Sequence, residues 1–348
     1  MSAKPIVAIT LGDPAGIGPE IVVKSLVLQE IYDICNPVVI GDASVVKEAL
    51  RITLKDLVIN IVSSVGECLF EHGVIDVYDL KNIDGSKVEY GKLSAECGRA
   101  SGEYIEKAIK LALAREVDAT VTAPINKEAL NKGGFHYQGH TEFYATLTNT
   151  KKYSMMLVHD NLRIIHVTTH IALREVCDRI KKDRVYEVIK IAYDTCRALG
   201  IANPRIGVPG LNPHAGEGGL MGKEEEFEII PAIEMAKKDG INVEGPIPPD
   251  SLFQKVKGSF YDIGLAMYHD QGHIPIKMVG FEWDARRKNW KSVCGVNVTL
   301  GLPIIRSSVD HGVAFGKAGK GIASADSMIQ AIKVAVQMAN NSKKRQEV

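Results

Sequence analysis

The feature that most constrains the fold of this chain is the alternation of short β-rich runs with longer segments of helical periodicity. Apolar and β-branched residues fill the short runs, whereas apolar residues recur at helical spacing in the longer segments. Chains with this alternation form a mostly parallel sheet covered by helices, so the sequence predicts an α/β fold. The predicted strands are 6–10, 38–41, 118–122, 164–168, 205–208 and 263–267, and the predicted helices are 21–28, 44–50, 100–114, 182–199 and 324–339.

Composition narrows the class of protein. At 348 residues the chain is long enough for two domains. The 42 Lys and Arg residues balance 42 Asp and Glu residues, so we expect neither a nucleic acid nor a membrane as partner, and phosphate recognition would depend on a few local cations. The six cysteines are widely spaced, which favours reduced thiols over a zinc ribbon or a disulfide framework. With no long apolar run and no secretory signal pattern, the sequence predicts a soluble cytoplasmic protein.

A glycine-rich loop, GDPAGIGPE at 12–20, follows the first predicted strand. It lacks the G-x-G-x-x-G spacing of dinucleotide-binding folds and the Lys-Ser/Thr of a P-loop. The loop therefore indicates a tight strand-to-helix turn, with Pro19 near the start of the helix, and it does not establish a nucleotide site.

Three histidines follow three separate predicted strands. His170 comes after 164–168, His214 lies in LNPHAGEGG after 205–208, and His269 follows 263–267 in MYHDQGHIPIK. Because the carboxyl ends of parallel strands share one sheet edge, these rings could meet there. Three imidazoles with open coordination positions are typical of a catalytic divalent metal site. From position alone, hydrogen-bonded histidines at strand ends remain an equal alternative.

Four further residues are candidates for holding an anion. His140 and Thr141 lie in GHTE, which looks like a turn into a helix whose N-terminus suits a phosphate, although Thr141 could instead be a plain N-cap. Lys277 lies at the far end of the HDQ loop, and Arg306 follows the apolar run 302–305, which predicts that it emerges from a strand. Such cations suit a phosphate or carboxylate, with surface salt bridges as the alternative.

Taken together, these motifs resemble those of the 4-hydroxythreonine-4-phosphate dehydrogenase family, metal-dependent dehydrogenases of the pyridoxal phosphate pathway. The resemblance runs through nearly the whole chain. It rests on TLGDPAGIGPE (10–20), TAPINKEAL (122–130), GHTE (139–142), TTHIALR (168–174), NPHAGEGG (212–219), MYHDQG (267–272) and VNVTLGLPIIRSSVDHG (296–312).

The resemblance implies a two-domain fold like that of isocitrate and isopropylmalate dehydrogenases, with mostly parallel sheets and an active-site cleft between the domains. The first domain would comprise 1–125 and 300–348, and the second 126–299, which carries most metal and substrate residues. A homodimer would share each metal site between its subunits. The implied metal ligands are His170, His214 and His269, and the implied substrate-binding residues are His140, Thr141, Lys277, Asn297 and Arg306.

Three departures from the family pattern qualify this resemblance. A polar, cationic insertion at 282–295 occupies a position where the family commonly has a short link, and it could alter substrate entry or the dimer contact, or form a plain surface loop. Ser307 and Val313 are mild replacements. HVTTHIALR and YHDQGHIPIK, which includes His273, are closer to a second branch of the family that acts on D-threonate or D-erythronate 4-phosphate.

The expected reaction is an oxidation followed by a decarboxylation. One divalent metal (Zn, Mg, Mn or Co) would lower the pKa of the substrate C3 hydroxyl, NAD or NADP would accept the hydride, and the 3-oxo acid would lose CO₂ to give dihydroxyacetone phosphate. Asp250, Asp270 and Lys277 are the candidate general bases. Gly216, Gly218 and Gly219 could let the backbone approach the cofactor pyrophosphate, or could serve the turn alone.

Two other activities remain open from the sequence. The first is the 4-hydroxythreonine-4-phosphate dehydrogenase reaction of pyridoxal 5′-phosphate biosynthesis, whose substrate has an amine on C2. The second is metal-dependent phosphate ester hydrolysis, which would use the same histidines to activate water.

Overall fold

The computed structural model describes residues 4–286 and 289–346. It divides the chain into two compact units, Met1–Lys151 with Leu302–Val348, and Lys152–Gly301. The strands are β1 (Ile6–Thr10), β2 (Asn36–Gly41), β3 (Val58–Val62), β4 (Val74–Asp79), β5 (Ala119–Thr122), β6 (Ser154–His159), β7 (Leu162–His166), β8 (Ile206–Pro209), β9 (Val243–Ile247), β10 (Ile263–Ala266), β11 (Phe281–Asp284), β12 (Asn289–Val293), β13 (Val296–Leu300) and β14 (Arg306–Val309). The helices are α1 (Gly18–Leu26), α2 (Gln29–Ile34), α3 (Ala43–Thr53), α4 (Ala95–Leu113), α5 (Lys127–Lys132), α6 (His140–Leu147), α7 (Val176–Arg179), α8 (Lys182–Ala198), α9 (Ile230–Lys238), α10 (Pro249–Lys257), α11 (His269–Gly280) and α12 (Asp326–Gln346).

The first unit is built on a parallel sheet with the strand order β3-β4-β2-β1-β5-β14. Every residue of β5 is buried, and so are all but the first residue of β1, because α4 and α12 pack against both strands. Continuous burial of this kind is expected where helices cover both faces of a parallel strand. The predicted α/β class with mostly parallel sheets is therefore confirmed.

The glycine-rich loop after β1 is a tight strand-to-helix turn, as its sequence predicts. Gly12 has a φ of +70°, and a Cβ there would lie 2.4 Å from the Pro124 carbonyl oxygen. Helix α1 then begins at Gly18, with Pro19 in its first turn. Close packing of the backbone, rather than ligand binding, explains the glycine at position 12.

The second unit contains a mixed sheet with the strand order β13-β6-β7-β10-β8-β9. β6 pairs antiparallel with both β13 and β7, whereas β7, β10, β8 and β9 are parallel. Its core includes Ile164, Leu252, Val256 and Tyr261. The parallel part brings the carboxyl ends of β7, β10 and β8 to one edge.

The insertion at 282–295 contributes to a separate antiparallel hairpin. β11 pairs with β12, with an irregular register between Glu282 and Trp283. Residues 287–288 of the insertion lie outside the described residues.

Three local predictions differ from the structure. The segment 126–151 belongs to the first unit rather than the second, because Phe143 and Tyr144 of α6 share a hydrophobic core with Ile105 of α4. Arg306 begins β14 instead of following a strand, since residues 302–305 form no strand. The HDQ segment is helical, so Lys277 lies near the end of α11 and not in a loop.

All six cysteines are free. Within the part of the chain that the structure describes, no helix is both long and apolar enough to cross a membrane.

Candidate active site

Two of the three histidines at the strand ends of the second unit lie close together. His170 follows β7 by four residues, and His269 is the first residue of α11, directly after β10. Their ring centroids are 5.6 Å apart and the rings are tilted by 47°. Because β7 and β10 are adjacent parallel strands, these two rings lie at one sheet edge, while their role as metal ligands stays a prediction.

The ring of His269 is oriented by a carboxylate. Its Nδ1 lies 2.6 Å from Oδ1 of Asp270. A proton on Nδ1 would satisfy this contact and would leave the lone pair of Nε2 for a ligand, an arrangement that metal-binding histidines commonly show. The chemistry of His269 therefore fits a divalent metal.

His214 lies apart from this pair. It is in the turn Pro213–Gly219, where it adopts a left-handed backbone conformation with a φ of +52°, and its exposed ring lies 3.7 Å from the Glu217 carboxylate. Among residues 4–286 and 289–346, no three His, Cys, Asp or Glu side chains are grouped closely enough to hold a metal ion. One chain thus brings two of the predicted ligands together, and the third is not with them.

The turn that carries His214 packs against a buried glutamate and is hydrogen-bonded to it. Glu225 Oε1 accepts hydrogen bonds from the backbone N–H groups of Leu211 and Asn212, at 2.7 and 2.8 Å. Gly216 passes so close that a Cβ there would lie 2.6 Å from Glu225 Oε2. This packing and the positive φ of Gly216, Gly218 and Gly219 give the three glycines a conformational role, while the predicted cofactor contact stays a prediction.

Two further histidine rings, both buried, pack one behind the other against His269. His273 stacks on His269, with centroids 3.6 Å apart and an interplanar angle of 10°, and His166 of β7 packs against His273 at 4.8 Å. Burial lowers the pKa of His166 to about 3 and that of His273 to about 4. Both rings are therefore neutral at pH 7.

The remaining candidates of the second unit occupy separate places. Asp250, in the first turn of α10, lines a cavity of about 300 Å³ together with Asp270 and Tyr268. The Lys277 ammonium lies 5.4 Å from the centroid of the Phe281 ring. Asn297 is on β13, where its amide Nδ2 lies 2.8 Å from the sulfur of Met155. Asp250 therefore lines the same cavity as Asp270, whose carboxylate contacts His269.

In the first unit, a buried arginine forms the centre of a cationic cluster. Arg306 is 2% exposed and donates a hydrogen bond from Nη2 to Oγ1 of Thr122 at 2.8 Å. Its guanidinium carbon lies 5.7 Å from the centroid of the Tyr144 ring. Burial lowers the pKa of Arg306 to about 10, so the side chain is still charged at pH 7.

His140 belongs to the same cluster. Its Nε2 is buried and has no hydrogen-bond partner among the described residues. Burial, followed by the positive charges of Arg306 and Lys127, holds the pKa of His140 well below its usual range. Gly139 is the N-cap of α6, so Thr141 lies in the first helical turn and is not an N-cap. A buried nitrogen beside two cations at a helix N-terminus suits an anion such as a phosphate.

Three residues of these clusters were given no role from the sequence. Lys127 lies within the motif TAPINKEAL, and its position at the start of a helix was the available signal. His273 follows His269 by four residues, the spacing that places two side chains on one helix face. No sequence signal marked His166, because its position within an apolar strand is typical of an ordinary core residue.

The comparisons with known proteins agree with this architecture. The family model "Pyridoxal phosphate biosynthetic protein PdxA" matches residues 33–335. A D-threonate 4-phosphate dehydrogenase from Cupriavidus necator is 46% identical over 336 residues, which cover 96% of this chain and 97% of the relative. The crystal structure of a 4-hydroxythreonine-4-phosphate dehydrogenase from Burkholderia phymatum is 44% identical, with a TM-score of 0.84 over 97% of this chain and 99% of that one.

A more distant solved structure extends the likeness of the fold. A beta-decarboxylating dehydrogenase from Thermococcus kodakarensis is 16% identical and has a TM-score of 0.50, covering 98% of this chain and 86% of that one. The fold of this chain is therefore like that of a beta-decarboxylating dehydrogenase. With a family model that spans most of the chain and relatives of high identity, the protein belongs to the PdxA family of dehydrogenases.

Proposed function

We propose that this chain catalyses the NAD-dependent, divalent-metal-dependent oxidation and decarboxylation of D-threonate 4-phosphate or D-erythronate 4-phosphate, giving dihydroxyacetone phosphate and CO₂, with NADP as the alternative cofactor. The name of the Cupriavidus necator relative supports the substrate class. The observation that carries the proposal is the buried Nε2 of His140 beside the charged Arg306, because a phosphorylated substrate needs such a cluster.

The proposed reaction has two steps, an oxidation and a decarboxylation. In the first, the C3 hydroxyl loses its proton to a base and the C3 hydride passes to NAD, which gives a 3-oxo acid and NADH. In the second, the bond between C1 and C2 breaks and C1 leaves as CO₂. The electron pair of this bond stays with C2 and forms an enolate, which then takes up a proton. When bound, the divalent metal would favour the ionised C3 hydroxyl and stabilise the enolate charge.

The residues of the chain have distinct roles in this scheme. His140, Thr141 and Arg306 bind the phosphate, and Lys127 adds a further positive charge to the same cluster. His170 and His269 supply imidazole ligands from one chain.

For the general base, we favour Asp250 or Lys277 over Asp270. Asp270 is engaged by His269 Nδ1, which suits an orienting role. Asp250 and Lys277 remain the candidates for the base, and Asn297 remains a candidate for contacting the substrate.

We further propose that the protein is a homodimer in which His214 completes the metal site of the partner subunit. Large apolar side chains close to each of the three histidines in the sequence are exposed. They are Leu173 (70% exposed) near His170, Leu220 (83%) near His214, and Ile274 (61%) and Met278 (78%) on the helix that begins with His269. Burial of these exposed apolar side chains at a subunit interface would favour the dimer.

Steady-state kinetics with three substrates test the proposed activity. Metal-replete enzyme is mixed with NAD and one of three substrates: D-threonate 4-phosphate, D-erythronate 4-phosphate or 4-hydroxythreonine 4-phosphate. The formation of NADH is followed by its absorbance. We expect a higher kcat/KM with D-threonate or D-erythronate 4-phosphate than with 4-hydroxythreonine 4-phosphate. The Burkholderia phymatum structure supports the alternative, in which the amino substrate is preferred. Release of inorganic phosphate without NADH formation would refute both dehydrogenase assignments.

A further inference from the structure

The ring of His269 rests on a column of two further imidazoles. The nearly parallel rings of His269 and His273 are in van der Waals contact, and His166 lies behind His273. His166 is 0% exposed and His273 is 7% exposed. The column therefore runs from the buried strand β7 to the half-buried first residue of α11.

Hydrogen bonding and packing fix this column in place. His273 Nδ1 lies 2.9 Å from the carbonyl oxygen of His269, which ties the two residues together across one helical turn. Gly272 lies against His166, since a Cβ on Gly272 would be only 2.4 Å from His166 Nε2. The first turn of α11 consequently sits directly on the buried ring, and His273 has little space in which to move.

From this geometry we propose that His273, supported by His166, is a positioning residue that holds the imidazole of His269 in its metal-binding orientation. The inference rests on the proposed metal dependence. His273 contacts one face of the His269 ring, while Asp270 engages its edge at Nδ1. Two contacts in perpendicular directions restrict both the tilt and the rotation of the ring, so less conformational entropy is lost when it binds a metal.

An alternative role for His273 is that of a second ligand, since His269 and His273 have the spacing of H-x-x-x-H metal-binding helices. Face-to-face stacking at 3.6 Å argues against this, because the lone pairs of parallel stacked rings do not converge on one ion. The two roles predict different results for a substitution that keeps an aromatic ring but removes its nitrogens.

Cobalt titration of the full-length protein tests the proposal. Apo wild type, His273→Leu and His273→Phe are titrated with Co²⁺, and the dissociation constant and the visible absorption bands are recorded. We expect His273→Leu to weaken Co²⁺ binding about 10-fold or more, since loss of supporting partners typically costs 10- to 100-fold in metal affinity. His273→Phe should bind close to the wild-type level with a similar spectrum, because a ring still stacks on His269. His72→Leu, which removes an exposed histidine of the first unit, is the matched control and should bind like the wild type.

Each alternative has its own outcome. Wild-type protein that binds no Co²⁺ would overturn the metal dependence itself. If the wild type binds Co²⁺ and His273→Leu binds it equally well, only the positioning role is refuted. If His273→Phe loses binding as fully as His273→Leu, His273 is a ligand and the inference is wrong. Thermal unfolding of the apo proteins separates these results from a general loss of stability, because a purely structural role would lower the unfolding temperature without changing the spectrum of the bound cobalt.

Discussion

Asp270 Oδ1 lies 2.6 Å from Nδ1 of His269, and the two residues are adjacent in the chain. Helix α11 begins at His269, so both side chains are placed by the first turn of one helix at the end of β10. A carboxylate that accepts from one imidazole nitrogen raises the basicity of the other nitrogen and fixes its direction. In the proposed reaction, Asp270 would therefore orient His269 toward a metal, and the substrate proton would pass to another base.

Replacing Asp270 with asparagine should weaken metal binding. The amide keeps the size of the side chain but removes its negative charge, so the affinity for Co²⁺ should fall about 10-fold. The measurement is the same cobalt titration. Asp160→Asn is the matched control, because Asp160 also lies beside a histidine of adjacent number, His159, at 3.6 Å. Equal affinity in Asp270→Asn and the wild type would contradict the orienting role.

The α/β fold was predictable because local periodicity carries it. β1 and β10 are nearly continuous apolar runs, and β5 is a run of Ala, Val and Thr; buried strands of such composition are recognisable in a single sequence. β3 was not predicted, because Asn60 interrupts its run of Val and Ile residues. The hairpin of β11 and β12 was missed for a different reason, namely that its polar sequence is typical of a loop.

The site was predictable in part. Positions after strand ends identified His170 and His269, because sheet topology determines where such residues lie. The cluster of His140, Arg306 and Lys127 depends on packing between α5, α6 and β14, which no spacing along the chain reveals. The completion of the metal site by His214 would depend on a second chain, and the sequence alone carries no such geometry.

Replacing Arg306 with lysine should impair the phosphorylated substrate specifically. Lysine keeps the charge but loses the planar guanidinium and the hydrogen bond to Thr122, so kcat/KM should fall by about 10- to 100-fold, as is typical for a charge-assisted hydrogen bond. Steady-state kinetics measure the change. Arg197→Lys is a matched control, since Arg197 also lies 5.7 Å from a tyrosine ring, that of Tyr193, but on the exposed surface of α8. Unchanged kinetics in Arg306→Lys would exclude a specific role of the guanidinium group in phosphate binding.

Lys127 should contribute to the same step through its charge. Lys127→Met keeps the aliphatic length and removes the ammonium, so KM for the phosphorylated substrate should rise about 10-fold, and the effect should diminish at high ionic strength. Lys132→Met, on the same helix, serves as the control because Lys132 pairs with Glu128 at 2.8 Å. A KM that is insensitive to Lys127→Met would remove this residue from the anion cluster.

Acid should destabilise the folded protein through His166. Burial depresses the folded-state pKa of His166 to about 3 from 6.5, so the unfolded chain takes up a proton first and stability is lost as the pH falls from about 6.5 toward 3. Between pH 7.5 and 5 this residue should cost about 2 kcal/mol of unfolding free energy. Urea unfolding of the apo protein at both pH values should show a smaller loss in His166→Leu than in the wild type. The exposed His136→Leu should leave the loss unchanged. Equal losses in His166→Leu and the wild type would contradict the neutral, buried state of this ring.

Mixing two inactive variants tests whether the metal site is shared between subunits. His170→Ala and His214→Ala each remove one proposed ligand, so each homodimer should be inactive. If His214 serves the partner, a heterodimer of the two variants has one site in which both ligands are damaged and one site that is intact. Unfolding and refolding an equal mixture should therefore restore about a quarter of the wild-type activity, since half of the dimers are heterodimers with one working site.

The corresponding mixture of His170→Ala and His269→Ala is the control. Those two residues lie together in one chain, and every heterodimer site would then lack one of them. Equal recovery in both mixtures, or none in the first, would show that His214 does not act across the interface.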